Sequence, residues 1–283
     1  MMRLERNRWS AVLSANDKIL LVGFGNMGQA LVRGWLAKGH AASAIRVVDP
    51  VPAARAVAAA LGVEAHERVH PAIENADVVV LAVKPNQLAG VLPSCAAPAA
   101  RGAVVLSIAA GKTMAEIGAA LGSGAAVVRA MPNTPAAIGQ GIAALVANGA
   151  ASREQRELCG ELLAAVGAVA WLDDETHMDA VTAISGSGPA YVFLLIECLE
   201  QAAVDLGLPA ALARQLAVAT VAGAGAYAAA AKDTPAELRR RVTSPNGTTQ
   251  AALDVLMAPS GLQELIARAA RAAAQRSREL KTA

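Results

Sequence analysis

Aromatic residues are scarce in this 283-residue chain: two Phe, two Tyr and three Trp make up 2% of it, so Ala, Val and Leu must build the core. Cysteine is scarce too. Cys95, Cys159 and Cys198 are an odd, widely spaced set without a C-x-x-C pair, which argues against a disulfide framework and reads as free thiols in a reducing cytoplasm. The four histidines (His40, His66, His70, His177) are scattered, and no metal is expected from such spacing. Charged residues are only 17% of the chain and sum to +2, so there is no basic field of the kind that dominates nucleic-acid binding. The opening MMRLERNRWSAVLSAND is basic but lacks the apolar run of a secretory signal, and a disordered leader is expected over residues 1–16. The uncharged stretch Gln215 to Ala231 is mostly Ala and Gly, shorter than the ~20 strongly apolar residues that span a bilayer, so no membrane segment is expected.

What is present in quantity is apolar residue, 55% of the chain, enough for two ordinary domains. Up to Leu172 short β-branched runs alternate with helical stretches: KILLVG, AIRVVD, DVVVLAV, GAVVLSI, AAVVRAM, GIAALVA and VAWL. That alternation predicts a parallel sheet covered by helices, and runs as continuous as Asp77 to Val83 predict strands buried on both faces. After Asp173 the β runs stop. Apolar residues recur at helical spacing in YVFLLIECLEQAAVDLGL and LQELIARAARAAAQRSREL, so the remainder is read as all-α. The expected domains are therefore 17–172 and 173–283.

Lys18 to Gly28 reads as a strand entering Gly23-x-Gly25-x-x-Gly28, with a helix from about Asn26 to Ala37. Gly23 permits the tight turn and Gly25 lets a pyrophosphate approach the backbone. Gly28 lets helix and strand pack closely, and Asn26 and Met27 open the helix whose N–H groups face the phosphates. Three glycines alone are a weak signal; in the first strand-turn-helix of an alternating chain they predict a Rossmann-type dinucleotide-binding domain. Asp49 ends the second strand, 21 positions after Gly28. It is placed either to accept hydrogen bonds from the adenosine ribose, favouring NADH over NADPH, or to begin a turn before Pro50. Arg46 and Arg55 lie near enough in sequence to serve a phosphate. LAVKP (Ala82, Val83, Lys84, Pro85) and SIAAG (Ile108, Ala109, Ala110) fall at the carboxyl ends of buried strands, where ligands bind in open α/β sheets; Lys84 can pair with a phosphate or stand in water.

With RAMPNTPA (129–136), DAVTAISGSGPAYVF (179–193) and VTSPNGTTQAAL (242–253) added, the chain resembles the pyrroline-5-carboxylate reductase family from Ile19 to about Leu280. The resemblance implies hydride transfer from NADPH or NADH to the C=N bond of 1-pyrroline-5-carboxylate, yielding L-proline. It implies that Thr248 and Thr249 line the substrate pocket, with Thr249 contacting the ring nitrogen and Thr248, Gly247 and neighbouring N–H groups holding the carboxylate. Glu175, at a family acidic position before DAV, is expected either to order that pocket or to be a solvated helix-start residue. Ser185 to Ala190 reads as a close-approach segment or as a corner between two helices. Asn246 stands where the family has a second glycine, and as a residue tolerant of positive φ it can keep the turn.

Such a reaction needs two rings aligned and a carboxylate held, with no strong general base, which suits a chain without a catalytic histidine cluster. Two rivals share the fold class. A β-hydroxyacid dehydrogenase needs a proton acceptor, and the lysine those enzymes carry is missing from SGSGPAYVFLLIECLE; a nucleotide-sensing module would keep the fold without the chemistry. The Ala-rich face of 215–231 and the resemblance imply a homo-oligomer joined by its helical half, a dimer that can assemble into a ring of dimers.

Overall fold

The computed structural model describes residues 16–122 and 124–280, so the expected leader lies, but for Asn16, outside the described residues. The chain forms two compact units. One runs to Gly186 and resumes at Ala274; the other is Ser187–Ala273.

The first unit holds an eight-stranded sheet. Its strands are β1 (Ile19–Val22), β2 (Ile45–Val48), β3 (Glu64–His66), β4 (Val78–Leu81), β5 (Val104–Ser107), β6 (Val127–Met131), β7 (Gly141–Ala147) and β8 (Gly167–Trp171), in the order β3-β2-β1-β4-β5-β6-β7-β8. Helices α1 (Asn26–Ala37), α2 (Pro52–Ala60), α3 (Pro85–Ala100), α4 (Met114–Leu121) and α5 (Arg153–Ala164) cover it. Every residue of β1, β4 and β5 is buried because the sheet has a core on each face. Leu21, Val80 and Leu106 pack with Leu31 and Trp35 of α1 and Leu162 of α5. Leu20, Val79 and Val105 pack on the other side with Leu88 of α3 and Ile117 of α4. The Trp35 indole donates to the Leu162 carbonyl at 2.8 Å, joining α1 to α5.

Two features depart from the sequence expectation. The sheet is parallel only from β3 to β6, whereas β7 runs antiparallel to β6 and carries β8 with it. The connection 132–140 holds one 3₁₀ turn, too short for the crossover of a dozen or more residues that a parallel neighbour needs. β3 is a three-residue edge strand of polar and small residues, EAH, with no apolar run to announce it.

Beyond β8 the chain is helical: α6 (Met178–Val181), α7 (Gly188–Asp205), α8 (Ala210–Ala230), α9 (Pro235–Arg241), α10 (Thr248–Leu256) and α11 (Leu262–Glu279). The SGSG segment runs from a π-turn through a bend at Ser187 into α7. That π-turn, Thr182–Gly186, carries α6 towards α7, and the helical run Glu175–Asp205 is long and apolar enough to cross a membrane by length and composition, which the charge-free stretches considered above did not anticipate. Gly186 is required here, since a Cβ would stand 2.5 Å from the Met131 Cε. The last turns of α11 return to the sheet unit: the Ser277 hydroxyl donates to the buried Asp179 carboxylate at 2.8 Å, and Leu280 packs on Gly111.

Candidate functional site

The loop after β1 is built on backbone approaches that only glycine allows. Gly23 has φ +97°, and a Cβ there would lie 2.7 Å from the backbone of Ala82, so the loop rests directly on the end of β4. A Cβ on Gly28 would lie 2.5 Å from the Gly23 carbonyl, so α1 begins hard against the turn. A Cβ on Gly25 would meet nothing within 4 Å. Gly25 thus borders open space while its neighbours are closed in, and it sits as N-cap of a helix with no side-chain cap and no acidic residue in its first turn. The N–H groups of Asn26, Met27 and Gly28 have no intrahelical acceptor, which makes this an anion cradle. These residues fit a dinucleotide pyrophosphate.

Asp49 closes the cradle from the side. It is 9% exposed, its Oδ2 accepts from the Phe24 N–H at 2.7 Å, and its Oδ1 accepts from Val51 N–H at 2.8 Å. The same carboxylate therefore pins the glycine loop and turns the chain into α2, with lone pairs left over for a ribose. The two arginines that could have served a 2′-phosphate are engaged. Arg46 pairs with Glu64 at 3.3 Å, and Arg55 Nη1 donates to the carbonyls of Asp49 and Pro50, each at 2.8 Å.

At the neighbouring strand ends, Ala82 N–H donates to Val22 O at 2.7 Å and Ile108 N–H to Leu81 O at 3.1 Å. Ala82, Val83, Lys84 and Pro85 therefore stand beside Ile108, Ala109 and Ala110 on the carboxyl side of β4 and β5. Lys84 is exposed as the N-cap of α3. A groove of about 500 Å³ lies at the opposite, amino ends of the strands, lined by Asp17, Glu74, Asp77, Glu154, Glu157 and Glu161. Its acidity repels a dinucleotide, and it is no part of the cradle.

Glu175 is half-buried and engaged by two partners. Its Oε1 accepts from Arg129 Nη1 at 2.8 Å and from the Met114 N–H at 2.9 Å. Arg129 is 2% exposed, on β6. The sequence reading missed this partnership, although a lone arginine inside the apolar strand VVRAM signals a buried partner. Asn133 is a second tie: its amide donates to Ser185 O at 3.1 Å and its Oδ1 accepts from Ile142 N–H at 2.9 Å.

Gly247, Thr248 and Thr249 belong to the helical unit. Asn246 takes φ 56°, and Gly247 N–H closes the turn onto Ser244 O at 3.1 Å. Gly247 is the N-cap of α10, again without a side-chain cap or a first-turn acid. Thr248 and Thr249 open that helix with free N–H groups, a second anion-receptive end. Among the described residues no group of three His, Cys, Asp or Glu side chains could hold a metal.

The chain matches two family models: pyrroline-5-carboxylate reductase dimerisation over residues 175–280, and NADP oxidoreductase coenzyme F420-dependent over residues 18–111. It is 46% identical to the pyrroline-5-carboxylate reductase of Pseudomonas aeruginosa over 94% of this chain and 97% of that one. It is 39% identical to that of Haemophilus influenzae over 93% and 97%. Among solved structures, a pyrroline-5-carboxylate reductase from Coxiella burnetii superposes with TM-score 0.89 at 37% identity, over 94% of this chain and 98% of that one. The Plasmodium falciparum pyrroline carboxylate reductase with NADP bound gives 0.82 at 26%, over 94% and 99%.

Proposed function

The chain belongs to the pyrroline-5-carboxylate reductase family, and from that premise we propose how its own residues carry out the NAD(P)H-dependent reduction of 1-pyrroline-5-carboxylate to L-proline. When bound, the reduced nicotinamide supplies the hydride, and the C=N carbon accepts it with the ring nitrogen already protonated. The chain holds that cofactor at the carboxyl ends of β1, β2, β4 and β5. The first-turn N–H groups of α1 receive the pyrophosphate, Asp49 faces the adenosine ribose, and the strand ends Ala82–Pro85 and Ile108–Ala110 line the nicotinamide side. In the helical unit, the N–H groups at Gly247 and Thr248 hold the substrate carboxylate, and the Thr249 hydroxyl hydrogen-bonds the ring nitrogen. No residue has to remove a proton from carbon. The observation that carries this reading is the open space over Gly25 at an uncapped helix end.

The cofactor preference follows from charge. Asp49 brings a carboxylate to the ribose side, while Arg46 and Arg55 are already spent on Glu64 and on carbonyls, so NADH is the better partner and NADPH the poorer. The test is loss of the near-ultraviolet absorbance of reduced nicotinamide on mixing protein, cofactor and the imine. No loss with either cofactor overturns the assignment.

Assembly is part of the same reading. Residues 175–280 match a dimerisation model, and within the chain α7 has no buried residue, with Phe193 56% and Leu194 59% exposed. A face of that kind on a single chain demands a cover. A second copy of the chain is the cover we assign, forming a homodimer that can repeat into a ring. The buried free thiols Cys95 and Cys159 suit a cytoplasmic enzyme.

A further inference from the structure

Glu175 lies at the start of the region matched as a dimerisation model, yet its recorded partners belong to the sheet unit. Its carboxylate holds Met114 N–H, the first residue of α4, and Arg129, buried under that helix on β6. The first N–H groups of a helix have no partner of their own, and a negative group at that end is favoured by the helix dipole. The Thr113–Glu116 capping box satisfies the N–H of Glu116 and leaves that of Met114 to Glu175. Between the end of β5 and Met114 runs Ile108–Thr113, whose first three residues, Ile108–Ala110, are assigned above to the nicotinamide side. Its near end is tied by Ile108 N–H to Leu81 O. Its far end is tied by Glu175.

We propose that Glu175 is a positioning residue for the cofactor-facing loop, acting through Met114 and Arg129, and that it does not touch the substrate. The ion pair to Arg129 orients the carboxylate, and the hydrogen bond to Met114 N–H fixes where α4 begins and hence the exit of the loop. Without the carboxylate the start of α4 keeps only the Thr113–Glu116 capping box and the Leu280 contact at Gly111, and the cofactor must supply the remaining order on binding. The cost falls on cofactor affinity, while the pocket at the start of α10 keeps its own N–H groups. This proposal rests on the assignment of Ile108–Ala110 to the cofactor.

The experiment compares wild type with Glu175→Ala and Glu175→Gln in steady-state kinetics, each with a melting curve to verify folding. Glu175→Ala leaves Met114 N–H without an acceptor, and the cofactor KM is expected to rise about tenfold with the imine KM unchanged. Glu175→Gln keeps an amide oxygen for Met114 and loses only the charge, so its cofactor KM is expected to rise about threefold. A residue that merely stabilises the fold would lower the melting temperature and leave both KM values of the surviving enzyme alone. A rise in imine KM with cofactor KM unchanged, or no change in either, overturns the proposal. If Glu175→Ala does not fold, Glu175→Gln is read by the same criteria. Wild-type protein that turns over no imine at all overturns the assignment of function instead, so the two failures are distinct.

Discussion

Replacing Asp49 by Asn separates two jobs that one carboxylate does. In the native chain both oxygens accept backbone N–H groups, from Phe24 at 2.7 Å and from Val51 at 2.8 Å, at a buried position. Asn offers one oxygen and turns an NH₂ towards the other donor, so one charge-assisted bond is lost and one N–H is orphaned, at a cost of about 2–3 kcal/mol. For a unit of this size each kcal/mol lowers the melting temperature by roughly 2–4 °C, so a fall of about 4–12 °C is expected. The loosened glycine loop raises KM for NADH and NADPH together. On top of that common rise sits a difference: a double charge about 6 Å from a carboxylate is repelled by ~1.4 kcal/mol even at the dielectric of water, so removing the charge shifts the preference towards NADPH about tenfold. The assay is a melting curve with saturation curves for both cofactors at fixed imine. An unchanged melting temperature refutes the anchoring role, and an unchanged NADH-to-NADPH ratio refutes the charge argument. Wild type that strongly prefers NADPH refutes it without any mutation.

Thr249→Ala is expected to lower kcat about tenfold with cofactor KM unchanged, the loss of one hydrogen bond to the reacting ring; unaltered turnover removes Thr249 from the site. In the acidic groove, burial first and then the charges of Asp17 and Glu157 push Glu161 above the ordinary carboxylate range. A raised carboxyl contributes stability that is full below the ordinary carboxylate value and is lost as pH rises through its own raised value. Glu161→Gln should therefore raise the melting temperature near pH 8 and not near pH 4; an equal gain at both would show that charge is not the cause. Burial pushes the Cys95 thiol up to about 11 and raises Cys159 further, while Cys198 is exposed on α7. In the assembled enzyme all three should resist alkylation, with Cys198 reacting first as dilution separates the copies. Rapid modification of Cys198 in an intact dimer would take α7 out of the interface. Light scattering of wild type should give a multiple of 28.6 kDa, and a particle of that mass itself would reject assembly.

The sheet was legible because its strands are buried on both faces and therefore read as unbroken apolar runs. The reversal at β7 was not read, because alternation alone conceals it: a run such as GIAALVA looks the same in either direction, and only the shortness of 132–140 carries a signal. β3 left no trace because an edge strand of three residues needs no hydrophobic face. At the site, the glycine loop could be read from spacing, since its steric demands fall within one turn of chain. The pairing of Arg129 with Glu175 could not, as the two are 46 residues apart and meet only where the turn after β8 is brought to β6 and the start of α4. Asp49 lies between these cases. Its position after β2 is a sequence fact, whereas its grip on Phe24 N–H depends on how close the first loop passes.

The return of α11 bears on how the protein is made. Ser277 and Leu280 contribute to the unit that holds the glycine loop, one by a buried bond to Asp179 and the other by packing on Gly111. Domains fold largely as they leave the ribosome, N-terminal parts first, but here the sheet unit draws on residues made only after the whole of Ser187–Ala273. The sheet can form early, yet the segment next to Gly111 has no backing from Leu280 until the helical unit has been synthesised. The strands are thus ready before the packing beside the nucleotide loop is complete.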